Sequence, residues 1–404
     1  MTRNNHCDVL IAGAGPAGLA AAIALRRRGA DVLVADALRP PIDKPCGEGL
    51  MPDALRALAQ LGIVLDAHHG ASFAGVLFAS GATRVAAGFT GGSGLGVRRP
   101  VLHQVLFDHA ASLGVRFAWG VPVVLHEGQP PTLAGQACIY RWLIGADGSA
   151  SRVRAWSGFD ANRAGSRRFG YRAHFRLAPG STPVTHVEVH WSGLGQVYIT
   201  PVGPQEICVA GVSRHSGVRL GGIIASIGSL RDSLANATPV TQERGALTLT
   251  RRLRRVTRGN VALVGDASGS VDAITGEGLA LAFRQSLLLA ESLHAGGLAL
   301  YASRHAATLA LPRRMAKLML VFDRHPRLRS RILQAFAARP MLFRDLLAVH
   351  LGEQSLRGFA LHHGAQLGAL LLAAQSASLS PPRFGEDPGM PLPGSSLERE
   401  TDAA

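Results

Sequence analysis

Short apolar runs and longer helical patterns alternate at the start of the chain. Residues 7–12 form a short, mostly apolar run, and residues 31–36 form a second one. Between them, residues 16–28 carry leucine and isoleucine among small residues, with the spacing of a helix that packs closely on a sheet. This order predicts a strand, a helix and a second strand, which is the opening of a doubly wound α/β domain.

The middle of the chain changes to a two-residue alternation between about residues 169 and 212. This pattern predicts short antiparallel strands with one face packed. In one of them His186, Glu188 and His190 share a face. Such residues are candidates for acid–base or substrate-orienting groups, because histidine titrates near neutral pH. The pattern is also that of a solvated sheet face, and we favour this second interpretation.

The last third returns to a buried strand at residues 260–264 and a long apolar helix at 278–294. The fold class predicted is α/β, with a Rossmann-like domain, an interleaved antiparallel-sheet substrate domain and a helical C-terminal extension. The first domain is assigned to residues 1–70, 98–165 and 251–298, and the substrate domain to 71–97 and 166–250. Residues 299–377 are assigned to the C-terminal helices and 378–404 to a disordered tail.

The chain has 404 residues, of which 47% are hydrophobic, and a net charge of +15. We expect no nucleic-acid partner, because no recognition motif accompanies the charge and nearly all of it is scattered arginine. Four widely spaced cysteines predict no metal site and a reducing, cytoplasmic location. The basic segment 324–327 lies between apolar helices. It is either a peripheral contact with an anionic membrane surface or carrier, or simply a solvated surface, which is the simpler account.

Three glycine-rich turns follow predicted strands, and the first is the most informative. Gly13 permits a tight turn, Gly15 lets the backbone approach a pyrophosphate, and Gly18 lets the helix pack on the strand. The intervening Pro16 and Ala17 open a helix whose free N–H groups face the phosphates.

The acidic residues at the strand ends complete the pattern. Asp36 ends the second predicted strand, where it can accept a hydrogen bond from a ribose hydroxyl. The second turn contains Asp147 and Gly148. The third has Asp266 after a strand and continues to Gly276, Glu277 and Gly278 before the long helix.

These three motifs together resemble the glutathione-reductase-type FAD fold of single-component flavin hydroxylases, geranylgeranyl reductases and flavin-dependent halogenases, over roughly residues 7–295. The resemblance implies bound FAD, with Asp36 on the adenosine ribose and Asp266 on the ribityl chain. It also places Asp147, Gly148 and Arg99 near the cofactor. Gly276, Glu277 and Gly278, just before the long helix, are assigned to cofactor binding with them. The Trp-x-Trp-x-Ile-Pro signature of halogenases is absent from the sequence.

Details of the third motif and of the loop at residues 44–52 look more like the geranylgeranyl-reductase branch. That branch includes bacterial FAD-dependent monooxygenases, some encoded beside type III polyketide synthases, and the chain is most similar to these. In this family the loop lies by the flavin, so Cys46 is a candidate catalytic thiol or a small residue at a crowded turn. Gly47 belongs to the same cofactor-binding loop. Arg39 and Lys44 are candidate phosphate ligands or solvent-facing cations.

The family also brings the segment around Tyr198 and Pro201 towards the flavin, which makes both candidate catalytic-pocket residues. The resemblance therefore predicts an NAD(P)H-dependent FAD monooxygenase that uses O₂ to hydroxylate a hydrophobic aromatic, polyketide or lipid substrate. With no second Gly-x-Gly-x-x-Gly turn, NAD(P)H is expected to bind only transiently. The alternatives are a reductase of isoprenoid double bonds and a flavin-binding protein without turnover.

Overall fold

The computed structural model describes residues 5–159 and 165–365, together with the backbone of 161–162. The strands are β1 (His6–Ala12), β2 (Val32–Asp36), β3 (Gly49–Leu50), β4 (Ala71–Phe73), β5 (Gly75–Ser80), β6 (Thr83–Gly88), β7 (Gly94–Gly96), β8 (Arg116–Trp119), β9 (Thr132–Leu133), β10 (Gln136–Ala137), β11 (Ile139–Gly145), β12 (Ala161–Asn162), β13 (Arg167–Arg176), β14 (Val187–Trp191), β15 (Gln196–Pro201), β16 (Glu206–Ser213), β17 (Thr238–Pro239), β18 (Arg244–Leu249), β19 (Arg252–Leu253), β20 (Thr257–Arg258) and β21 (Val261–Leu263).

The helices are α1 (Pro16–Arg26), α2 (Pro52–Gln60), α3 (Arg99–Ser112), α4 (Arg152–Trp156), α5 (Leu220–Ala225), α6 (Gly228–Ser233), α7 (Gly278–His294), α8 (Ala299–Thr308), α9 (Ala310–Arg324), α10 (Pro326–Ala338) and α11 (Pro340–His350). Two short 3₁₀ turns, Gly265–Ser268 and Ala273–Thr275, precede α7.

The first sheet has the strand order β20-β21-β11-β1-β2-β8, and its pairs are parallel except for β20 with β21. Ala12 is in register with Gly145, and Gly145 with Leu263. The carboxyl ends of β1, β11 and β21 therefore lie side by side, and each leads into one of the three glycine motifs. This edge is where open α/β sheets bind ligands.

The second sheet has eight strands, with β17, β13, β16, β15, β14, β5 and β6 in order and β18 also paired with β13. Its pairs are antiparallel except for β14 with β5, which is parallel in a register of Val187 with Val76. That exception joins the hairpin of β5 and β6 to strands from much later in the chain. The mixed sheet fits the predicted α/β class with a second sheet domain.

The C-terminal helices α9, α10 and α11 pack on the second sheet. Their buried side chains form one apolar cluster with β5, β6 and β14, in which Phe343 contacts Phe78 with ring centroids 4.6 Å apart. The predicted tail at 378–404 and the end of the predicted helical region lie outside the described residues. Within the described part of the chain, no helix has both the length and the apolar character needed to cross a bilayer.

The predicted solvated face of β14 was wrong for His190. Its side chain is 2% exposed, and its Nε2 lies 2.7 Å from Oε2 of Glu188. The strand is internal in the sheet, and His190 is in register with the fully buried Val197, whose face is covered by α5. The loop predicted at residues 44–52 also needs correction, since Gly49–Leu50 pairs with β7 and α2 begins at Pro52.

Candidate functional site

The first glycine motif forms a tight turn between β1 and α1. Gly13 has φ +105°, and a Cβ at this residue would lie 2.5 Å from the carbonyl oxygen of Ala146. A Cβ on Gly18 would overlap the carbonyl oxygen of Gly13. Around Gly15, in contrast, there is open space at the start of α1. Gly13 and Gly18 are thus required by packing, whereas Gly15 leaves room for a ligand at a helix N-terminus.

Asp36, at the end of β2, holds this turn in place. Its carboxylate accepts hydrogen bonds from the backbone N–H of Ala14 at 2.7 Å and of Leu38 at 2.8 Å. The Nε2 of the buried His103 lies 2.9 Å from the carbonyl oxygen of Ala14 on the other side. Burial lowers the pKa of His103, which favours the neutral imidazole. A carboxylate has about four lone-pair sites, so Asp36 keeps acceptor capacity for a ribose hydroxyl.

The second motif is a helix cap as well as a wall of the cavity. Asp147 accepts from the hydroxyl of Ser151 at 2.5 Å and from the backbone N–H of Arg152 and Val153 at 2.6 and 3.1 Å. Gly148 has φ +78° and faces the ammonium of Lys44. The carboxylate of Asp147 therefore caps the N-terminus of α4. A ligand at this motif could contact its backbone atoms and the adjacent cations.

Side chains of α7 and α8 support the third motif from behind. Gln285 accepts from the backbone N–H of Gly265 at 2.8 Å, and Ser268 donates to the carbonyl of Gly265 at 2.8 Å. His305 lies 3.0 Å from the Ser268 hydroxyl, and burial lowers the pKa of His305 to about 4. This imidazole is neutral at physiological pH, which suits a structural role.

Asp266 projects from the supported turn into the cavity. The side chain is reachable from the cavity, yet protein surrounds it closely enough that burial raises the pKa of its carboxyl. The neighbouring cations Arg99, Lys44 and Arg154 oppose that shift. An acid in this position is a hydrogen-bonding group for a polar ligand chain.

Cations gather on the same wall, as a pyrophosphate requires. Arg99, Lys44 and Arg152 all line the cavity, and the buried Nε of Arg99 has no hydrogen-bond partner among the residues that the structure describes. An arginine with an unpartnered nitrogen here fits an anionic ligand. Arg152 was missed at the sequence level, although its place directly after the second Asp-Gly turn was a usable signal.

The loop at residues 43–48 is fixed by a buried charge network. Arg172 binds Asp43 through two contacts of 2.7 and 2.8 Å and lies 3.2 Å from Glu48. Glu48 Oε2 is also 2.7 Å from His174 Nε2. The network positions the loop so that Cys46, half-buried, faces the cavity together with Lys44 and Gly47. Glu48 itself was not predicted as a site residue.

These elements surround one cavity of about 1140 Å³ that runs from the glycine motifs to the C-terminal helices. At the far end its lining is apolar and comes from both sheet and helices. These residues are Val76, Phe78, Val187, Val189, Met315, Leu318, Met319, Phe322, Phe343, Leu346 and Leu347. From the sequence, no residue of the C-terminal helices was predicted to line the site. The spacing of Met315, Met319 and Phe322 along one helix face was the signal that could have found them.

A buried arginine connects α9 to the third motif. Arg168 of β13 is 2.9 Å from Asp272 in the third motif and 3.1 Å from Asp323 in α9. All three side chains are about 2% exposed. Removal of one partner from such a buried group costs several kcal/mol because the remaining charges lose their compensation. The network therefore fixes the apolar end of the cavity relative to the glycine motifs.

Of the remaining predicted residues, one lines the cavity and two do not. Tyr198 lines the cavity, but its hydroxyl oxygen lies 2.6 Å from Gln196 Oε1 and 2.8 Å from the carbonyl of Ile274. Pro201 and Arg39 are not among the residues that line the cavity. Pro201 packs against Gly96, and Arg39 packs near Gly120. Catalytic roles for Tyr198 and Pro201 stay predictions.

The other predicted cofactor residues come together around the same cavity. This group consists of Gly13, Gly15, Pro16, Ala17, Asp36, Lys44, Cys46, Gly47, Arg99, Asp147, Gly148, Asp266, Gly276, Glu277 and Gly278, with Gly18 packed directly beneath. The open space at Gly15, the unpartnered Arg99 nitrogen and the length of the cavity fit FAD. Gly15 and the α1 N-terminus would hold its pyrophosphate, and Asp36 and Asp266 its sugar and ribityl hydroxyls.

Comparison with known proteins agrees with this fit. The family model described as FAD binding domain matches residues 6–196. Menaquinone reductase of Mycobacterium tuberculosis strain H37Rv is 30% identical over 353 residues, which cover 80% of this chain and 86% of the relative. Rifampicin monooxygenase of Rhodococcus hoagii is 31% identical over 157 residues, covering 36% of this chain and 33% of the relative.

A solved structure of a flavoprotein/dehydrogenase from Cytophaga hutchinsonii shares the fold, with a TM-score of 0.77 and 19% identity over 92% of this chain and 100% of the other. The sheet order, the three motifs, the cavity and the relative matched over most of its length all lead to one assignment. The chain belongs to the FAD binding domain family and is an FAD-dependent oxidoreductase.

Proposed function

We propose that the protein is a monooxygenase that hydroxylates a hydrophobic aromatic or lipid substrate. The observation that carries the proposal is the apolar end of the cavity, which is continuous with the cofactor end and closed by α9 and α11. Oxygen transfer from a reduced flavin needs a cavity that keeps water away from the reacting atoms. The side chains of Phe78, Phe322 and Phe343 provide such a wall.

Bound FAD supplies the redox chemistry, and the protein supplies binding, orientation and exclusion of water. The backbone of the first motif and the cations Arg99, Lys44 and Arg152 bind the anionic part of the cofactor. NAD(P)H is the proposed electron donor and meets the flavin transiently. The overall reaction converts R–H, O₂, NAD(P)H and a proton into R–OH, water and NAD(P)⁺.

The test is incorporation of isotopically labelled dioxygen. The FAD-loaded protein is incubated with NADH or NADPH, labelled O₂ and a panel of alkylphenols and fatty acids, and the products are analysed by mass spectrometry. We expect one labelled oxygen atom in a product, with nicotinamide oxidation in proportion to product. Nicotinamide oxidation stimulated by a substrate that is itself recovered unoxygenated would contradict the proposal.

Reduction of an isoprenoid double bond is the second candidate. A relative that matches 80% of this chain is a menaquinone reductase, which favours a reductase activity. The structure adds that Cys46 faces the cavity with its Sγ 3.4 Å from the backbone nitrogen of Glu48. In such a reductase one alkene carbon receives a hydride and the other receives a proton. If Cys46 supplies the proton, Cys46→Ala will lose double-bond reduction under anaerobic conditions while retaining FAD. In a monooxygenase the same variant keeps FAD and most of its reducibility by NAD(P)H.

A further inference from the structure

A buried acid lies at the junction of the cofactor and apolar ends of the cavity. Glu277 directly precedes α7, lines the cavity and is only 2% exposed. Its Oε2 has no hydrogen-bond partner among the residues that the structure describes. A buried carboxyl oxygen without a partner is costly, because this atom has lost hydration without a compensating hydrogen bond.

The second member of the site is His350, the last residue of α11. It also lines the cavity, and its Nδ1 lies 3.9 Å from Glu277 Oε2, which is beyond hydrogen-bonding distance. Its side chain is 13% exposed. The two polar groups therefore come from different helices, and a small polar group beside them could form a hydrogen bond with each.

The charged side chains near Glu277 do not form a hydrogen bond with its Oε2. Arg284 on α7 donates to Asp53 Oδ2 of α2 at 2.7 Å. Burial raises the pKa of Glu277, and Asp53 adds to that change, while His350, Arg284 and a side-chain hydrogen bond with Thr275 oppose it. The Thr275 contact leaves Oε2 without a hydrogen-bond partner among the described residues. A carboxyl that keeps its proton to a higher pH can both donate and accept a hydrogen bond.

Apolar side chains adjoin the pair along both helices. Leu281 lies one turn after Glu277, and Leu346 and Leu347 lie one turn before His350. All three line the cavity, as do Met315 and Met319 further along it. The site thus offers one polar position beside a long apolar wall.

We propose that Glu277 and His350 bind the hydroxyl group of an amphiphilic phenol whose alkyl chain occupies the apolar end of the cavity. This inference rests on the proposed function and specifies its substrate class. A site built to hydrogen-bond a hydroxyl discriminates strongly against an analogue that lacks it, because the buried polar group is then left without a partner. The sequence motif alone predicted that Glu277 binds the cofactor.

The experiment compares the binding of 4-nonylphenol and nonylbenzene to the oxidised, FAD-loaded protein by calorimetry. The wild-type protein is expected to bind the phenol about tenfold to a hundredfold more tightly, because the analogue without a hydroxyl leaves a buried hydrogen-bonding group without a partner. In Glu277→Leu this preference falls to about twofold or less, while FAD content stays unchanged. The matched control is Glu291→Leu, an exposed glutamate on the same helix, which keeps the wild-type preference.

Each other outcome overturns a defined part of the account. An unchanged preference in Glu277→Leu removes the proposed role of Glu277. If Glu277→Leu loses FAD, His350→Leu takes its place, and its preference must fall as well. Loss of FAD in both variants assigns Glu277 to the cofactor instead. If the wild-type protein binds neither compound, the proposed substrate class is wrong, which distinguishes failure of the proposed function from failure of this site.

Discussion

At the scale of single residues, the three glycines of the first motif have different physical roles. Gly13 and Gly18 are fixed by close backbone contacts, and Gly15 faces open space with φ −67°, which any residue can adopt. The sequence predicted these roles because the motif stands between a strand and a helix. It could not predict which backbone atoms would enforce them, since Ala146 comes from a distant strand.

This difference predicts two opposite results for the same substitution. Gly18→Ala should lower the thermal stability sharply or prevent folding, because its Cβ overlaps the Gly13 carbonyl. Gly15→Ala should fold with a melting temperature near that of the wild-type apoprotein but bind FAD at least about tenfold more weakly, because the methyl group enters the pyrophosphate position. Thermal denaturation and FAD titration check both. Normal FAD affinity in Gly15→Ala would contradict the placement of the cofactor.

The third motif gives a second prediction at this scale. Asp266→Ala should purify largely without flavin, because a hydrogen bond to a charged group is worth about 1.5–3 kcal/mol, or roughly tenfold to a hundredfold in affinity. The flavin-to-protein ratio measures this directly. Asp232→Ala is the control, since Asp232 is exposed on α6. Full retention of FAD by Asp266→Ala would show that the third motif does not contact the ribityl chain.

At the scale of secondary-structure elements, the regular part of the fold was predictable. The helix at 278–294 was predicted with the bounds that the structure shows, and β1, α1 and β2 were predicted within two residues. The hydrophobic pattern of each of these elements is local and is typical of either a helix or a buried strand. The parallel pairing of β14 with β5 and the burial of His190 were not predictable, because both depend on contacts between distant segments.

The C-terminal helices provide a prediction about an element. Phe343 is 2% exposed and packs between Phe78 and Phe336, so Phe343→Ala should lower the free energy of unfolding by about 3–5 kcal/mol. Denaturant titration measures the loss. The exposed Met341 on the same helix gives the matched control, and Met341→Ala should change stability by about 0.5 kcal/mol or less. Equal stability of wild type and Phe343→Ala would show that α11 does not close the cavity.

At the scale of the whole molecule, two sheets and a set of helices create one long cavity with a polar and an apolar end. The sequence predicted the polar end, because glycine turns and acids at strand ends have fixed positions in the motif. It did not predict the apolar end, because the placement of α9 and α11 at the cavity depends on contacts between distant segments. Examples are the ion pair of Arg168 with Asp323 and the packing of Phe78 against Phe343. The cofactor was therefore easier to infer than the substrate.

The central claim is that this cavity supports oxygen transfer, and the reaction of the reduced protein with O₂ tests it most directly. The purified FAD-loaded protein is reduced in the absence of air, mixed rapidly with O₂ and followed by absorbance, with and without 4-nonylphenol. The account predicts a transient spectrum, distinct from those of the oxidised and reduced flavin, before reoxidation is complete. Direct conversion of reduced to oxidised flavin under both conditions, with no oxygenated product, would contradict it and favour the reductase.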